Sequence, residues 1–373
     1  MTFERRRVIA NFDWFLFSLV LILSIVGVMT IFSATRPVGS EEGSHLYIKQ
    51  IFWLCIALTA MIVFVSIDYA WFERFSGTLF FFGLLSLVAV LILGKVGMGA
   101  RRWIQIGPMN FQPSEFFKIL FIILLANRVS RIRGSLQFRD LVRLSILYLL
   151  LPVILIVKEP DLGSALILVM VFFIITLVRG FYKKALVIIL IIGAISVPFL
   201  GNIVWAKLKP YQKNRIIAFI KPQVDPAGIG YQIEQSKIGV GSGKFFGKGY
   251  LNGTQGPFRF LPENHTDFIF SIFSEEWGFI GSLVMLSIYL LVMLRGIDTA
   301  LKAKDSFGRF LAFSVVAMFF VYFFINVGMV LGMLPVVGVP LPFVSYGGTA
   351  LVSNFAAAGI LINVRMRRFA LFY

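Results

Sequence analysis

This chain of 373 residues has a single cysteine, two histidines and little charge, with 14% of its residues Asp, Glu, Lys or Arg. Each shortage removes a class of protein. Cys55 lies in an apolar run, allows no disulfide within the chain, and reads as a small buried hydrophobe. Two histidines cannot complete a structural zinc site, and neither HExxH nor CxxC occurs. A soluble domain carries about a quarter charged residues, so this deficit excludes an ordinary soluble enzyme. Acids are scarcest, 18 against 35 Lys and Arg, for a net charge of +17. In so apolar a chain that excess records the positive-inside bias and contact with anionic membrane lipid, and no nucleic-acid partner is expected. No cleavable signal peptide is expected either, because the first apolar segment is long and lacks a small-residue cleavage site.

Hydrocarbon is abundant: 58% of the residues are hydrophobic and 41 are Phe. A membrane span needs about 20 apolar residues. Ten stretches qualify, roughly 14–34, 47–67, 76–94, 115–127, 141–157, 162–179, 185–205, 267–294, 310–333 and 345–364, the fourth and fifth being short or weakly bounded. They predict an all-α, polytopic integral membrane protein, one transmembrane domain over 1–373 with a large extracytoplasmic loop at 206–266. Interleaved apolar residues in that loop (Ile216, Ile217, Phe219, Ile220; Ile229, Tyr231, Ile233, Ile238) suggest short amphipathic pieces lying on the membrane. Sidedness follows from Lys and Arg in the short loops. With the N-terminus inside, inner segments carry 19 and short outer segments 7, while the remaining 9 lie in the long loop, which the rule exempts. Both termini are therefore expected in the cytoplasm, in a multi-pass protein of the cytoplasmic membrane.

On that topology Arg101, Arg102, Glu115, Lys118, Lys158, Glu159, Asp161 and Asp267 all fall at outer ends of spans. Ionisable residues at membrane depth are functional candidates by default, with interfacial snorkelling as the bland alternative. In GARRWIQIGPMNFQPSEFFK (99–118), Arg101 and Arg102 either anchor at headgroups or hold a diphosphate through their guanidinium forks. QPSE reads as a helix start, which puts Glu115 and Lys118 on one face, as a structural ion pair or as a holder of substrate. In KEPDLGSAL (158–166), Asp161 either caps the next helix or binds substrate or a cation. GVGSGKFFGKG (239–249) fails as a P-loop, since Ile238 and Phe245 stand where Gly and Ser or Thr belong. It remains a flexible loop or a backbone cradle for phosphate with Lys244 beside it. PLPFVSYGGTA (340–350) opens the last span, its two glycines serving helix packing or close approach.

LPENHTDFIFSIFSEEWGF (261–279) places Asp267 in a first helical turn after Thr266, where the helix dipole favours its ionised form. At about 100° per residue, Ser271, Ser274, Glu275 and Gly278 share its azimuth. Such a stripe below a carboxylate fits a water-filled or substrate-filled cavity, against plain helix capping as the alternative. His265 reads as an interfacial side chain.

These motifs, RRW at 101, QPSEFFK at 112, EPDLG at 159, GYQIEQSKIGVGSGKFFGKG at 230, LPENHTDFIFSIFSEEWGFIG at 261 and LPFVSYGG at 341, resemble the SEDS family, which serves shape, elongation, division and sporulation. The resemblance spans nearly the whole chain, and the opening NFDWFLF is closest to the RodA branch. It implies a ten-helix glycosyltransferase that polymerises lipid II into glycan strands for cell-wall synthesis and cell shape, partnered by a class B penicillin-binding protein, the crosslinking transpeptidase. It also implies that Asp267 is the essential residue and that Arg101, Arg102, Glu115, Lys118 and Asp161 line the central cavity. Lys244 and Ser345 lie within the shared motifs and are candidate substrate contacts.

A glycosyl donor with a diphosphate leaving group needs cations for that group more than a general acid, whereas glycosidases use two carboxylates. One base suffices, Asp267 or alternatively Glu263, to take the proton of the acceptor 4-hydroxyl while the muramyl anomeric carbon inverts. Arg101, Arg102, Lys118, loop lysines or a divalent cation (magnesium or manganese) would neutralise the departing diphosphate, and apolar helix flanks would suit the undecaprenyl-linked glycan. Two other readings compete. A lipid II flippase needs polar groups through the full bilayer depth and an inner site, and a scaffold leaves the converging charges unexplained.

Overall fold

The computed structural model describes residues 11–36, 45–97, 100–107, 109–182, 210–221, 228–258, 260–261 and 264–369, with isolated positions at 187, 206, 223 and 225. In chain order its helices are α1 (Trp14–Thr35), α2 (His45–Ser66), α3 (Tyr69–Leu93), α4 (Pro113–Ser130), α5 (Phe138–Lys158), α6 (Leu162–Arg179), α7 (Pro210–Ile220), α8 (Ile229–Ser242), α9 (Ile269–Leu301), α10 (Ser306–Val330) and α11 (Gly348–Met366). Among the described residues eight are long and apolar enough to cross a membrane: α1, α2, α3, α5, α6, α9, α10 and α11. Four of these begin at an aspartate. The side chains of Asp13, Asp68, Asp161 and Asp305 accept the N–H of Leu16, Ala70, Ser164 and Gly308, satisfying donors that a helix start leaves open.

Nine of the ten expected spans coincide with α1–α6 and α9–α11; the seventh, 185–205, lies almost wholly outside the described residues. The two weakest expectations prove longer than their hydropathy suggested. α4 gains Pro113 as its first residue and keeps Glu115, Lys118 and Arg128 inside it. α5 is α-helical over Phe138–Leu144 and Leu150–Lys158 with a π-helical turn at Ser145–Leu149. That widening precedes Pro152, which has no N–H for the carbonyl four residues back.

α11 and α4 form the centre. From Leu351 to Met366 every side chain of α11 is buried, and Phe117 and Ile119 of α4 are fully buried. α11 packs along α2, α4 lies between α3, α10 and α6, and α9 rests on α10, α8 and α1. The apolar faces left exposed on the outer helices, such as Ile62, Phe82 and Ile92, face where lipid would be.

Two features were not legible as all-α. The link between α3 and α4 folds as a three-stranded antiparallel meander of β1 (Lys95–Gly97), β2 (Ala100–Ile106) and β3 (Met109–Phe111), turning at Gly107 (φ 61°). And α9 is interrupted at Gly278 (φ 65°, ψ −162°), where its backbone ladder opens.

Candidate active site

The beginning of α6 gathers the first set of predicted residues. Asp161 caps the helix through Oδ1, which accepts from Ser164 N (3.1 Å), and its Oδ2 accepts from Gln112 Nε2 (3.1 Å) and Ser114 Oγ (3.2 Å). Arg102, half-buried on β2, donates Nε to the Glu159 carbonyl (3.2 Å) and Nη2 to the Pro160 carbonyl. Its guanidinium thus holds the turn into α6. Arg101 is exposed, as alternation along a strand dictates. Glu159 is fully buried, and neither of its carboxyl oxygens has a hydrogen-bond partner among the described residues. Burial first, then the neighbouring Asp161 charge, push its pKa up from 4.5 to about 8, with Arg102 pulling the other way.

Glu115 and Lys118 do form the expected pair, and it is closed. Lys118 Nζ donates to Glu115 Oε1 (2.7 Å), Ser164 Oγ (3.1 Å) and Tyr322 OH, and the tyrosine hydroxyl donates to Glu115 Oε2 (2.8 Å). An ammonium has three donors; all three are engaged, and the lysine side chain is 1% exposed. The pair ties α4 to α6 and α10 in the bundle interior.

Asp267 lies in a turn just ahead of α9 rather than in its first turn, because the helix begins at Ile269 with no side-chain cap. Tertiary bonds hold this turn. Asn326 of α10, 0% exposed, donates Nδ2 to the carbonyls of Asp267 (3.0 Å) and Val339 (2.8 Å). Ser345 Oγ donates to the Thr266 carbonyl (2.6 Å) and accepts from Leu341 N (2.8 Å), while Tyr346 N donates to the His265 carbonyl (2.9 Å). Ser345 therefore positions the turn, with both its bonds spent on backbone.

The segment between α10 and α11 joins the two sets. A Cβ built on Gly163 of α6 would lie 2.9 Å from Val339 Cγ2 and 3.0 Å from the Val337 carbonyl. On the same segment, a Cβ on Gly338 (φ 75°) would lie 3.4 Å from Asp267 Oδ2 and 3.9 Å from Arg215 Nη1 of α7. The carboxylate and the guanidinium thus come to one point, next to the start of α6. The left-handed φ suits glycine there.

The polar stripe below Asp267 is not a cavity wall. Ser271 Oγ donates to the Ser236 carbonyl of α8 (2.9 Å), and Ser274 Oγ accepts from Ser282 Oγ (3.0 Å). Glu275 takes Lys248 Nζ (2.6 Å), Thr254 N (2.9 Å), Thr254 Oγ1 (2.6 Å) and Gln255 N (3.0 Å). The stripe docks the long loop. The glycine-rich stretch fills the break in α9: Lys248 N and Gly249 N donate to the carbonyls of Glu275 and Glu276 (both 3.0 Å), and Phe279 N and Ile280 N donate to those of Lys244 (2.8 Å) and Phe245 (3.1 Å). A Cβ on Gly247 would come 2.0 Å from the Glu276 carbonyl. These backbone groups are spent on each other rather than on a phosphate, and Lys244 is exposed at the α9 kink, away from the start of that helix. Glu263, the alternative base, lies outside the described residues.

Sequence reasoning passed over Arg215, Tyr322 and Asn326. Asn326 carried a signal, a lone amide inside the apolar run FFINVG. Tyr322 and Arg215 carried none, since only tertiary contact gives them partners. For a divalent cation, no group of three or more His, Cys, Asp or Glu side chains converges among the described residues, and Asp161 and Glu275 are saturated by protein donors. Among the described residues, then, protein side chains alone do not assemble a site for a resident ion.

A helical bundle with eight helices long and apolar enough to cross a membrane among the described residues, and with a carboxylate and a guanidinium approaching one point at one end, defines a membrane protein class that comparison identifies. The family of cell cycle proteins comprising FtsW, RodA and SpoVE matches residues 11–369. The peptidoglycan glycosyltransferase MrdB of Escherichia coli (strain K12) is 35% identical over 351 residues, 94% of this chain and 92% of the relative. Peptidoglycan glycosyltransferase RodA of Treponema pallidum is 30% identical over 98% of this chain and all of its own length. Among solved structures, a chain from a peptidoglycan synthase complex that coordinates polymerization and crosslinking superposes with a TM-score of 0.80 at 29% identity, covering 96% of this chain and 98% of that one. The chain belongs to the FtsW, RodA and SpoVE family, and its activity is that of a peptidoglycan glycosyltransferase in cell-wall synthesis.

Proposed function

We propose that this enzyme polymerises lipid II at the outer face of the cytoplasmic membrane, with both termini inside, and that Asp267 is its general base. The observation that carries this reading is the meeting of Asp267 and Arg215 across Gly338, beside the Asp161 cap and the Arg102-held turn at the start of α6. The charge bias of 19 to 7 in the short loops puts that end outside. Asp267 removes the proton from the 4-hydroxyl of the acceptor N-acetylglucosamine. The oxygen attacks the anomeric carbon of the lipid-linked muramyl residue with inversion, and the carbon–oxygen bond to undecaprenyl diphosphate breaks. The diphosphate leaves as an anion, so exposed Arg101 beside this end supplies charge complementarity rather than a proton.

The likeness to a chain from a synthase complex supports a class B penicillin-binding protein as the partner that crosslinks the product. Glycan formation from purified lipid II, by this chain with and without such a partner, tests the reading. Wild type is expected to yield polymer and Asp267→Asn none, with the variant still folded and still bound to the partner. A stable Asn variant that polymerises normally would falsify the base assignment.

A further inference from the structure

We infer that Arg215, brought in by α7 from the long loop, is the positioning partner of Asp267, holding its carboxylate ionised and turned toward Gly338. The inference rests on the reading of Asp267 as the base. The two side chains come from segments separated by α8 and the docked glycine-rich stretch, yet a single methyl group on Gly338 would touch both. An arginine keeps its charge at every pH the enzyme meets, so it acts as a constant field on the carboxylate. An opposite charge within about 4–6 Å favours the ionised form of an acid, by about 1–3 pH units for Asp beside Arg. The backbone of the Asp267 turn is held independently, by Asn326, Ser345 and Tyr346. That leaves the side chain's orientation and charge to groups that reach it from elsewhere.

Among the described residues, the ionisable groups on the elements that meet there are few. α7 also carries Lys213, half-buried, and the approach to α9 carries His265, whose Nδ1 lies 3.1 Å from Asn264 Oδ1. Tyr346 precedes α11, with its hydroxyl pKa raised by burial. α8 carries the Glu234–Lys237 pair at 3.8 Å. α10 contributes uncharged Asn326 here and, one turn earlier, Tyr322 bound to Glu115 and Lys118. Beyond Gly163 stand Asp161, Glu159 and Arg102. Arg215 Nη1 and Asp267 Oδ2 lie 3.9 and 3.4 Å from the same point, a methyl built on Gly338. α7 is seated rather than loose, since its Ala218 is fully buried and the helix packs on α8. The long loop is in this way part of the catalytic unit, because it supplies the charge that makes the base a base at low pH.

The test is the pH dependence of kcat/KM for glycan formation from lipid II, using the full chain with its transpeptidase partner. Arg215→Gln and Arg215→Met remove the charge, and Arg215→Lys keeps it. Both uncharged variants are expected to move the acid limb upward by about one pH unit or more, and the Lys variant to stay near wild type. Thermal unfolding run in parallel places each profile below the unfolding range, and two uncharged side chains of different polarity guard against one failing to fold. Acid limbs that coincide in all variants overturn the inference, as does a Lys variant displaced as far as the uncharged ones. The Asp267 reading fails separately, through residual activity of Asp267→Asn that keeps the wild-type acid limb.

Discussion

Where α1, α9 and α11 bring Asp13, Arg295 and Arg365 together, acids and bases satisfy one another. Asp13 meets Arg295 Nε at 3.0 Å and Arg365 Nε at 3.0 Å, Arg365 reaches Asp298 at 2.7 Å, and Asp298 pairs with Lys302 at 2.6 Å. Arg367 lies 3.4 Å from Asp68 at the same end of the bundle. At the opposite end, around the start of α6, three charged side chains have no ion pair among the described residues and are held, where held at all, by backbone and neutral groups. Arg102 is spent on two carbonyls, Asp161 on an amide N–H, a hydroxyl and a carboxamide, and Glu159 on nothing among the described residues. The first end uses charge as strut. The second leaves these three charges without an opposite charge bonded to them, at a cost in burial that pairing would have offset.

The largest effect should come at the second end, on rate. Asp267→Asn removes a base while leaving the turn's backbone bonds in place, so polymerisation should fall by about 10²–10⁴-fold with the unfolding temperature in detergent nearly unchanged. Equal losses of rate and stability would erase the distinction between the two ends.

At the strut end the pattern should reverse. Asp13→Asn can still cap α1 but strips the charge between two arginines, one of them Arg365 at 6% exposure. Removing one partner of a buried pair costs roughly 3 kcal/mol, so thermal stability should drop clearly while turnover per folded molecule holds. A variant that is stable but inactive would show that this end too is functional.

Arg102→Lys should be intermediate. A lysine cannot span the carbonyls of Glu159 and Pro160 as the guanidinium does, and losing one charge-assisted bond costs about 2 kcal/mol. Arg101→Lys, on an exposed residue of the same strand, should stay within about 0.5 kcal/mol. Unfolding of the two variants side by side checks this; equal loss would mean that the strand's two faces are not distinct.

The last effect is read against pH. Glu159 titrates near 8 in the folded chain and near 4.5 when exposed, so between those values the folded state binds the extra proton. Its contribution to stability is full below about 4.5 and is lost as pH rises through 8. Wild type should therefore lose stability over that window, and Glu159→Gln, which stays neutral, should lose less. Parallel curves would mean that the carboxyl finds a partner when ionised.

Membrane character, nine of the spans and the presence of amphipathic pieces in the long loop were legible because each depends on local composition. A run of Leu, Phe and Ile is a span wherever it sits, and Asp13, Asp68, Asp161 and Asp305 cap helices that start beside them. The family motifs added the Asp267 and Glu115–Lys118 positions without saying what those side chains touch. Which polar group meets which was decided by tertiary structure alone, because a hydrogen-bond partner can lie anywhere in the chain. Ser271, Ser274 and Glu275 share a helix face that suits a cavity or a docked loop equally well, and only the fold brings Lys248, Thr254 and Gln255 onto it. GVGSGKFFGKG has the glycines of a phosphate cradle and uses them to mend a broken helix, since two backbones must pass within contact distance at Gly247 and Gly278. Arg215 is one basic residue among 35 in the sequence. Its guanidinium approaches the point that the Asp267 carboxylate also approaches only when α7 folds back beside Gly338, a juxtaposition of distant segments that no local pattern encodes.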